Sequence, residues 1–68
     1  MIYYFHDGIM DKVEYDPSSL DMVITFASGS KIKLLYVLTD TFYQLTNSPN
    51  PYDYFETIIL EDPRIGRG

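Results

Sequence analysis

The chain contains no cysteine and a single histidine among its 68 residues. Without cysteine it can form neither a disulfide framework nor a thiolate metal site, and His6 alone cannot build a metal centre from imidazoles. No segment approaches the roughly 18 continuous apolar residues of a membrane span. The first residues also lack the basic start and long apolar run of a signal peptide. We therefore predict a cytoplasmic protein with no metal and no other cofactor.

Cations are scarce. Ten Asp and Glu residues face five Lys and Arg residues, which gives a formal net charge of −5. All ten acids lie in residues 1–62, where the cations are Lys12, Lys31 and Lys33, and Arg64 and Arg67 add a small basic end. Such a negative field repels nucleic-acid phosphate at long range and favours basic partners. Solubility alone is the alternative use of the charge.

Groups that could carry catalysis are few and badly placed. His6 and Asp7 are sequence neighbours, but neighbouring strand residues point to opposite faces. The serines have no partner histidine in a suitable position, and no glycine-rich phosphate loop exists. The early carboxylates lack the spacing of a calcium loop; these are Asp11, Glu14, Asp16 and Asp21. We expect a protein that is not an enzyme.

Three stretches alternate apolar and polar residues with the period of a β-strand, at residues 9–15, 20–27 and 31–38. A shorter apolar run over residues 2–6 ends at Asp7-Gly8, a dipeptide typical of a tight hairpin turn. Turn-forming residues also separate the later stretches; they are Asp16-Pro17-Ser18-Ser19 and Ser28-Gly29-Ser30. The pattern predicts an antiparallel meander of three to four strands.

The alternation assigns each strand a core side. It places Ile9, Val13 and Tyr15 inward from the first alternating stretch. From the other two stretches it places inward Leu20, Met22, Ile24, Phe26, Ile32, Leu34, Tyr36 and Leu38. The opposite face keeps three apolar side chains, Val23, Leu35 and Val37. These need cover from the terminal segments or from another chain.

Two short helices follow the strands. Thr39 or Asp40 is expected to cap the first helix, which runs through Gln44. Asn50 is expected to cap the second helix, with Pro51 at its first position. The buried stripes are Phe42 with Leu45, and Phe55 with Ile58 and Ile59. The predicted fold is α+β, a small three- to four-stranded antiparallel sheet packed with two short C-terminal helices.

One domain accounts for the whole pattern. We place it at residues 1–62, because a chain of 68 residues holds a single small core and shows no internal repeat or linker. Residues 63–68 are predicted to be a flexible tail.

Seven tyrosines are the one compositional excess. Tyrosine joins apolar area to a hydroxyl, a mixture that is enriched at protein interfaces and that also stacks single-stranded bases. Packing at the rim of a small core is the alternative. Base stacking requires interleaved cations, and the strands offer only three lysines. Protein contact is the stronger functional interpretation.

The order of several short motifs resembles a known family. The motifs are Tyr15-Asp16-Pro17, residues 22–26, Ser28-Gly29, Val37, Leu45, Ser48-Pro49 and Tyr54-Phe55. Over residues 10–59 they resemble the KTSC domain family, small domains named for the C-terminus of some lysyl-tRNA synthetases and also found as stand-alone proteins in bacteria and phages. The resemblance implies a small α+β domain and carries the suggestion of RNA binding.

The chain departs from the family pattern at its centre. Ile32 and Leu34 occupy the positions of a tyrosine-any-tyrosine pair, Leu38 replaces a proline, and Glu56 stands at a usual asparagine. An RNA contact of the kind suggested for the family would be carried here by Lys31, Lys33, Arg64 and Arg67.

The leading functional hypothesis is a binding protein that docks an acidic, tyrosine-bearing face on a basic partner protein. One form is a phage-encoded inhibitor that mimics nucleic acid. The predicted partner-binding residues are Asp11, Glu14, Tyr15, Asp16, Asp21 and Tyr36. The alternatives are an RNA-binding accessory module, with direct nucleic-acid contact the less favoured, and a homodimer or larger homo-oligomer joined through Val23, Leu35 and Val37.

Overall fold

The computed structural model describes residues 1–68 as one antiparallel sheet with two helices on the C-terminal side of its strands. The strands are β1 (Ile2–Tyr4), β2 (Met10–Asp16), β3 (Asp21–Phe26), β4 (Lys31–Leu35) and β5 (Gly66–Arg67). The helices are α1 (Thr39–Asn47) and α2 (Pro51–Tyr54), and α2 continues into a π-helical turn, Phe55–Ile59. The strands pair in the order β1-β2-β3-β4-β5, which confirms the α+β meander and adds a fifth strand. No helix is both long enough and apolar enough to cross a membrane.

The core lies between one face of the sheet and the two helices. Paired residues share a face, so the rows Tyr15–Met22–Leu34 and Val13–Ile24 point to the same side. The twelve buried apolar residues are Phe5, Met10, Val13, Tyr15, Met22, Ile24, Leu34, Val37, Phe42, Leu45, Phe55 and Ile59. We call this side of the sheet the inner face and the opposite side the outer face.

A β-bulge at Asp11 shifts the phase of β2. Met10 pairs with Phe26, whereas Lys12 pairs with Thr25, so β2 has one more residue than β3 in this interval. The extra residue turns Met10 into the core and leaves Ile9 exposed. The prediction that Ile9 faces inward is therefore wrong, while that for Val13 and Tyr15 is confirmed.

A left-handed residue ends β4 earlier than predicted. Tyr36 has φ +62°, which breaks the alternation after Leu35. The inward position passes to Val37, which is fully buried, while Tyr36 and Leu38 are exposed. The inward assignment of Tyr36 and Leu38 is wrong, as is the outward assignment of Val37. Because Val37 is buried, it cannot join two copies of the chain as the homo-oligomer hypothesis required.

The first helix is longer than predicted and is capped differently. α1 runs to Asn47, and its N-cap position is held by Leu38, without a capping hydrogen bond from a side chain. The Thr39 hydroxyl lies instead 3.2 Å from the Tyr15 hydroxyl. Phe42 and Leu45 are buried as predicted.

The second helix begins as the sequence predicts. The Asn50 side chain accepts a hydrogen bond from the Asp53 backbone N–H at 3.3 Å, and Pro51 takes the first helical position. The π-helical turn that follows buries Phe55 and Ile59 and leaves Ile58 exposed. The prediction that Ile58 is buried is wrong, since the wider turn rotates it away from the core.

The predicted flexible tail differs from the structure. Gly66 and Arg67 pair with Leu35 and Leu34, and the Gly68 N–H donates to the Lys33 carbonyl at 3.0 Å. The physical reason is that β4 would otherwise present an unpaired edge, which a short strand can cover through backbone bonds alone.

Tyr15 connects the sheet to the start of α1. Its hydroxyl donates to the Val37 carbonyl at 2.6 Å, and its ring stacks on Phe42 with centroids 5.0 Å apart. Only 2% of the side chain is exposed. The residue therefore has a structural role.

Replacing this hydroxyl should weaken the fold. Tyr15→Phe leaves the buried Val37 carbonyl without its partner, which is expected to lower the free energy of unfolding by about 1–3 kcal/mol. Urea unfolding followed by circular dichroism measures the change. Tyr43→Phe is the matched control, because Tyr43 is half exposed, and it should change stability by less than about 0.5 kcal/mol. Equal effects of the two substitutions would contradict the structural role.

Candidate functional site

The predicted partner-binding residues do not form one surface. Glu14, Asp16 and Asp21 lie together on the outer face, where they line a shallow groove of about 430 Å³. Tyr15 is buried and cannot contact a partner, so its predicted binding role is wrong. Tyr36 lines a different groove, and Asp11 sits in the bulge of β2.

The outer face carries cations among its acids. Lys12 Nζ lies 3.8 Å from a Glu14 carboxylate oxygen, and Lys33 Nζ lies 4.0 Å from an Asp21 carboxylate oxygen. Lys31 pairs with Thr25 in the row that also holds Lys12, so it shares this face. Three lysines thus balance the three acids of the groove, and the outer face is not the source of the negative field.

Asp16 is occupied by its own turn. The Ser18 hydroxyl donates to Asp16 at 2.6 Å and the Ser18 N–H donates at 2.9 Å. The side-chain bond from Ser18, followed by the backbone bond, lowers the pKa of Asp16 and keeps the carboxylate ionised. This geometry gives Asp16 a turn-forming role.

A second group of acids lies on the helical side, while Asp7 and Asp11, near the connection of β1 to β2, also lack a cationic partner. Residues 34–63 contain five acids and no lysine, arginine or histidine. They are Asp40 in the first turn of α1, Asp53 in the first turn of α2, Glu56 in the π-helical turn, and Glu61 and Asp62 just after it. Only Asp62 has a cationic partner, Arg64 at 2.8 Å.

Two tyrosines with hydrogen-bonded hydroxyls accompany these acids. The Tyr52 hydroxyl donates to Glu56 at 3.0 Å, and the Tyr54 hydroxyl donates to the Gln44 side chain of α1 at 2.7 Å. The bond to Glu56 and its charge raise the pKa of Tyr52, while burial, followed by the charge of Asp62, raises the pKa of Tyr54. Both phenols therefore remain protonated donors.

We define the acidic helix surface by these side chains: Asp40, Tyr43, Tyr52, Asp53, Tyr54, Glu56, Ile58, Glu61 and Asp62. None of these residues is among the predicted partner-binding residues, all of which lie on the strands or directly after one. The signal that could have found it is the absence of any cation between Lys33 and Arg64.

A small groove adjoins the start of α1. It has a volume of about 230 Å³ and is lined by Leu20, Tyr36, Leu38, Thr41, Asp62, Arg64 and Ile65. Leu20 and Tyr36 are the two non-glycine residues with positive φ, at +64° and +62°. The Leu20 carbonyl accepts a hydrogen bond at 2.9 Å from the N–H of Val37, the residue that follows Tyr36. This bond holds the two left-handed turns next to each other. We call this site the Tyr36 groove.

The residues proposed for RNA contact are separated. Lys31 and Lys33 lie on the outer face, whereas Arg64 is engaged by Asp62 beside the Tyr36 groove. Arg67 pairs with the buried Leu34 and therefore lies on the inner side of the sheet edge. These cations do not form a continuous basic surface.

No group of three or more His, Cys, Asp or Glu side chains is arranged to hold a metal ion. His6 lies exposed between β1 and the turn at Asp7.

At Tyr36, where the backbone is left-handed, glycine should stabilise the fold more than alanine, which is the opposite of their order inside a helix. Left-handed φ costs a residue with a side chain about 1–2 kcal/mol, whereas glycine has no such cost. We expect Tyr36→Gly to be more stable than Tyr36→Ala by about 1 kcal/mol in urea unfolding. The same pair at Tyr43, inside α1, should show glycine about 1 kcal/mol less stable than alanine. The same order at both positions would contradict the assignment.

The ion pair beside the groove should shift a titration. Hydrogen bonds from the Arg64 side chain, and then from its N–H, lower the pKa of Asp62 from 3.8 to about 2. Because the folded value lies below the unfolded one, the stabilisation is present above about pH 4 and is lost as the pH falls through the folded value. In Arg64→Met the pKa of Asp62 should rise toward 3.8, as measured by carboxyl NMR titration.

Arg67→Met is the matched control for that titration, because it removes the other arginine without touching Asp62. Its Asp62 pKa should stay at about 2. An Asp62 titration that is unchanged by Arg64→Met would show that the guanidinium does not hold the carboxylate.

Comparison with known families gives one result. Residues 6–62 match the family model described as KTSC domain. The match covers β2 to β4 and both helices, and it confirms the resemblance found in the sequence motifs. It indicates a small binding module. No curated protein matches the chain in sequence.

Proposed function

The chain belongs to the KTSC domain family, and we propose that it is a non-enzymatic binding module whose acidic helix surface docks on a basic partner protein. One observation carries the proposal: residues 34–63 hold five acids and no cation, and all five acids lie in the helices, in the π-helical turn or just after it. The partner contact predicted from the sequence is kept, but its location moves from the strands to the helices.

Charge is the first support. Asp53, Glu56 and Glu61 are exposed, and none of them has a cationic partner within ion-pair distance. A basic partner would therefore meet carboxylates that need not first leave an intramolecular pair. Such complementarity accelerates association and selects the partner more than it adds affinity.

Apolar area is the second support. Tyr43 and Ile58 are about half exposed, at 50% and 49%. Tyrosine is enriched among the residues that carry most of the binding energy in interfaces. Tyr52 and Tyr54 are held by hydrogen bonds, so little side-chain freedom is lost when a partner covers them. The surface thus combines acids with ordered aromatic anchors.

One specific form of the proposal is inhibition of a nucleic-acid-binding protein. Carboxylates on the acidic helix surface would replace phosphates on the partner's basic surface, and the tyrosines would replace stacked bases. A phage-encoded inhibitor is one source of such a protein. RNA binding, the alternative, gains less support because its predicted cations lie on separate parts of the structure.

The proposal is tested by neutralising equal charge on two surfaces. Glu56→Gln with Glu61→Gln removes two acids from the helical side, and Asp11→Asn with Glu14→Gln removes two acids from β2. With an arginine-rich peptide as probe, the helical variant should bind roughly tenfold more weakly at low salt, since each contact contributes up to about 1 kcal/mol. Isothermal titration calorimetry measures both affinities.

The β2 variant is the matched control, because both proteins carry the same net charge. It should bind nearly as well as the unmodified protein. If both variants bind the peptide equally weakly, the peptide is attracted by the net charge of the protein and not by the acidic helix surface, which would contradict the proposal. Binding of labelled single-stranded RNA that weakens in Lys31→Gln with Lys33→Gln would instead support the RNA-binding alternative.

A further inference from the structure

The sheet has an open edge at β1. The Met1 amino group donates to the Tyr15 carbonyl and the Tyr15 N–H donates to the Met1 carbonyl, both at 2.7 Å. The Phe5 N–H donates to the Asp11 carbonyl at 2.9 Å. Because hydrogen-bonding direction alternates along a strand, Met1, Tyr3 and Phe5 face β2, whereas the backbone groups of Ile2 and Tyr4 face away from the sheet.

This edge has little protection against pairing apart from its shortness. Ile2, Tyr3 and Tyr4 are exposed at 50%, 38% and 56%, and β1 contains no charged residue and no proline. Natural proteins commonly protect an edge strand with lysine, proline or a bulge. The opposite edge, β5, is only two residues long and contains Arg67. The β5 edge thus carries a charged residue, whereas the β1 edge carries none.

We propose that β1 pairs antiparallel with β1 of a second copy of this chain, about a two-fold axis at Tyr3. In that register Ile2 lies opposite Tyr4 of the partner subunit, and each such pair exchanges both of its backbone hydrogen bonds. Those are the residues whose backbone groups face outward in the monomer. The edge is thus self-complementary, as a two-fold interface requires.

The side chains fit the same register. Ile2 and Tyr4 point to the outer face, because they pair with Glu14 and Lys12 of β2. Ile2 would therefore pack against Tyr4 of the partner subunit, an aliphatic–aromatic contact that stabilises antiparallel pairs. Tyr3, whose ring packs edge-on against Phe5 at 5.1 Å, would meet Tyr3 of the partner subunit on the inner face.

The side chains that meet in this pairing carry no charge. The nearest charged side chains on β2, Lys12 and Glu14, form an ion pair with atoms 3.8 Å apart. Asp11 has no cationic partner, but it lies in β2, which β1 separates from the second copy. The paired strands therefore place no like-charged side chains next to each other.

The interface is small. A stable dimer usually buries about 1,200–2,000 Å² in total, and a strand of three residues buries less. The dimer is therefore weak and depends on protein concentration. A covalent trap is the suitable test for such a species, because it reports encounters in a defined register.

Tyr3→Cys provides that trap. The chain has no other cysteine, so any disulfide must join two copies. Residues opposite each other in a non-hydrogen-bonded pair have Cα atoms about 4.5 Å apart, which suits a disulfide. The control variant is Tyr43→Cys, because Tyr43 is exposed at 50% and lies on α1, away from the β1 edge. After mild oxidation, non-reducing electrophoresis should show that the Tyr3→Cys dimer forms at least tenfold faster than the Tyr43→Cys dimer.

A second variant tests the backbone bonds. Adding Tyr4→Pro to Tyr3→Cys removes an outward N–H that the dimer needs and the monomer does not, since proline is tolerated at a strand edge. Cross-linking should then fall to the rate of Tyr43→Cys, while circular dichroism shows an unchanged fold. Equal rates for Tyr3→Cys and Tyr43→Cys in folded protein would overturn the proposal, as would fast cross-linking that survives Tyr4→Pro.

Discussion

The hydrogen bond from the Tyr15 hydroxyl to the Val37 carbonyl fixes the point at which the chain leaves the sheet. It joins β2 to the connection between β4 and α1, at 2.6 Å and inside the core. The ring stacks on Phe42, so the same side chain also positions the first helix. A buried carbonyl without a partner would cost about 1–3 kcal/mol, a large share of the stability of a domain this small. The acidic helix surface and the Tyr36 groove both depend on this placement.

Much of the fold is predictable from local patterns, for physical reasons. Alternation over β3 identifies Met22 and Ile24 as core residues, because a strand with one buried face must repeat every second residue. The Asn50-Pro51 start of α2 is equally clear, since an amide cap and a proline at the first position satisfy the helix end. The family resemblance found in the sequence is confirmed by a match over residues 6–62.

The errors within strands β2 and β4 arise where one residue changes the phase of the strand. Neither the bulge at Asp11 nor the left-handed conformation of Tyr36 has a residue-type signal, since glycine would be expected at a positive φ. The candidate surface was missed for a different reason. A stretch without cations is visible in the sequence, but only the fold shows that its two helices pack against the same face of the sheet. The alternation of β2 predicts that Tyr15 lies in the core, whereas its residue type suggested a contact with a partner. Tyr15 is buried, so the first prediction is correct.

The separation of charge between sheet and helices makes the molecule an electric dipole. Lysines offset acids on the outer face, while the helical side keeps its negative charge. The field of a cationic surface orients such a protein during association, so that the helices face the surface and the β1 edge lies to the side. If two copies are joined at β1, both negative poles belong to one particle, and binding to a repetitive cationic array becomes bivalent. Effective concentration then strengthens attachment without any additional contact.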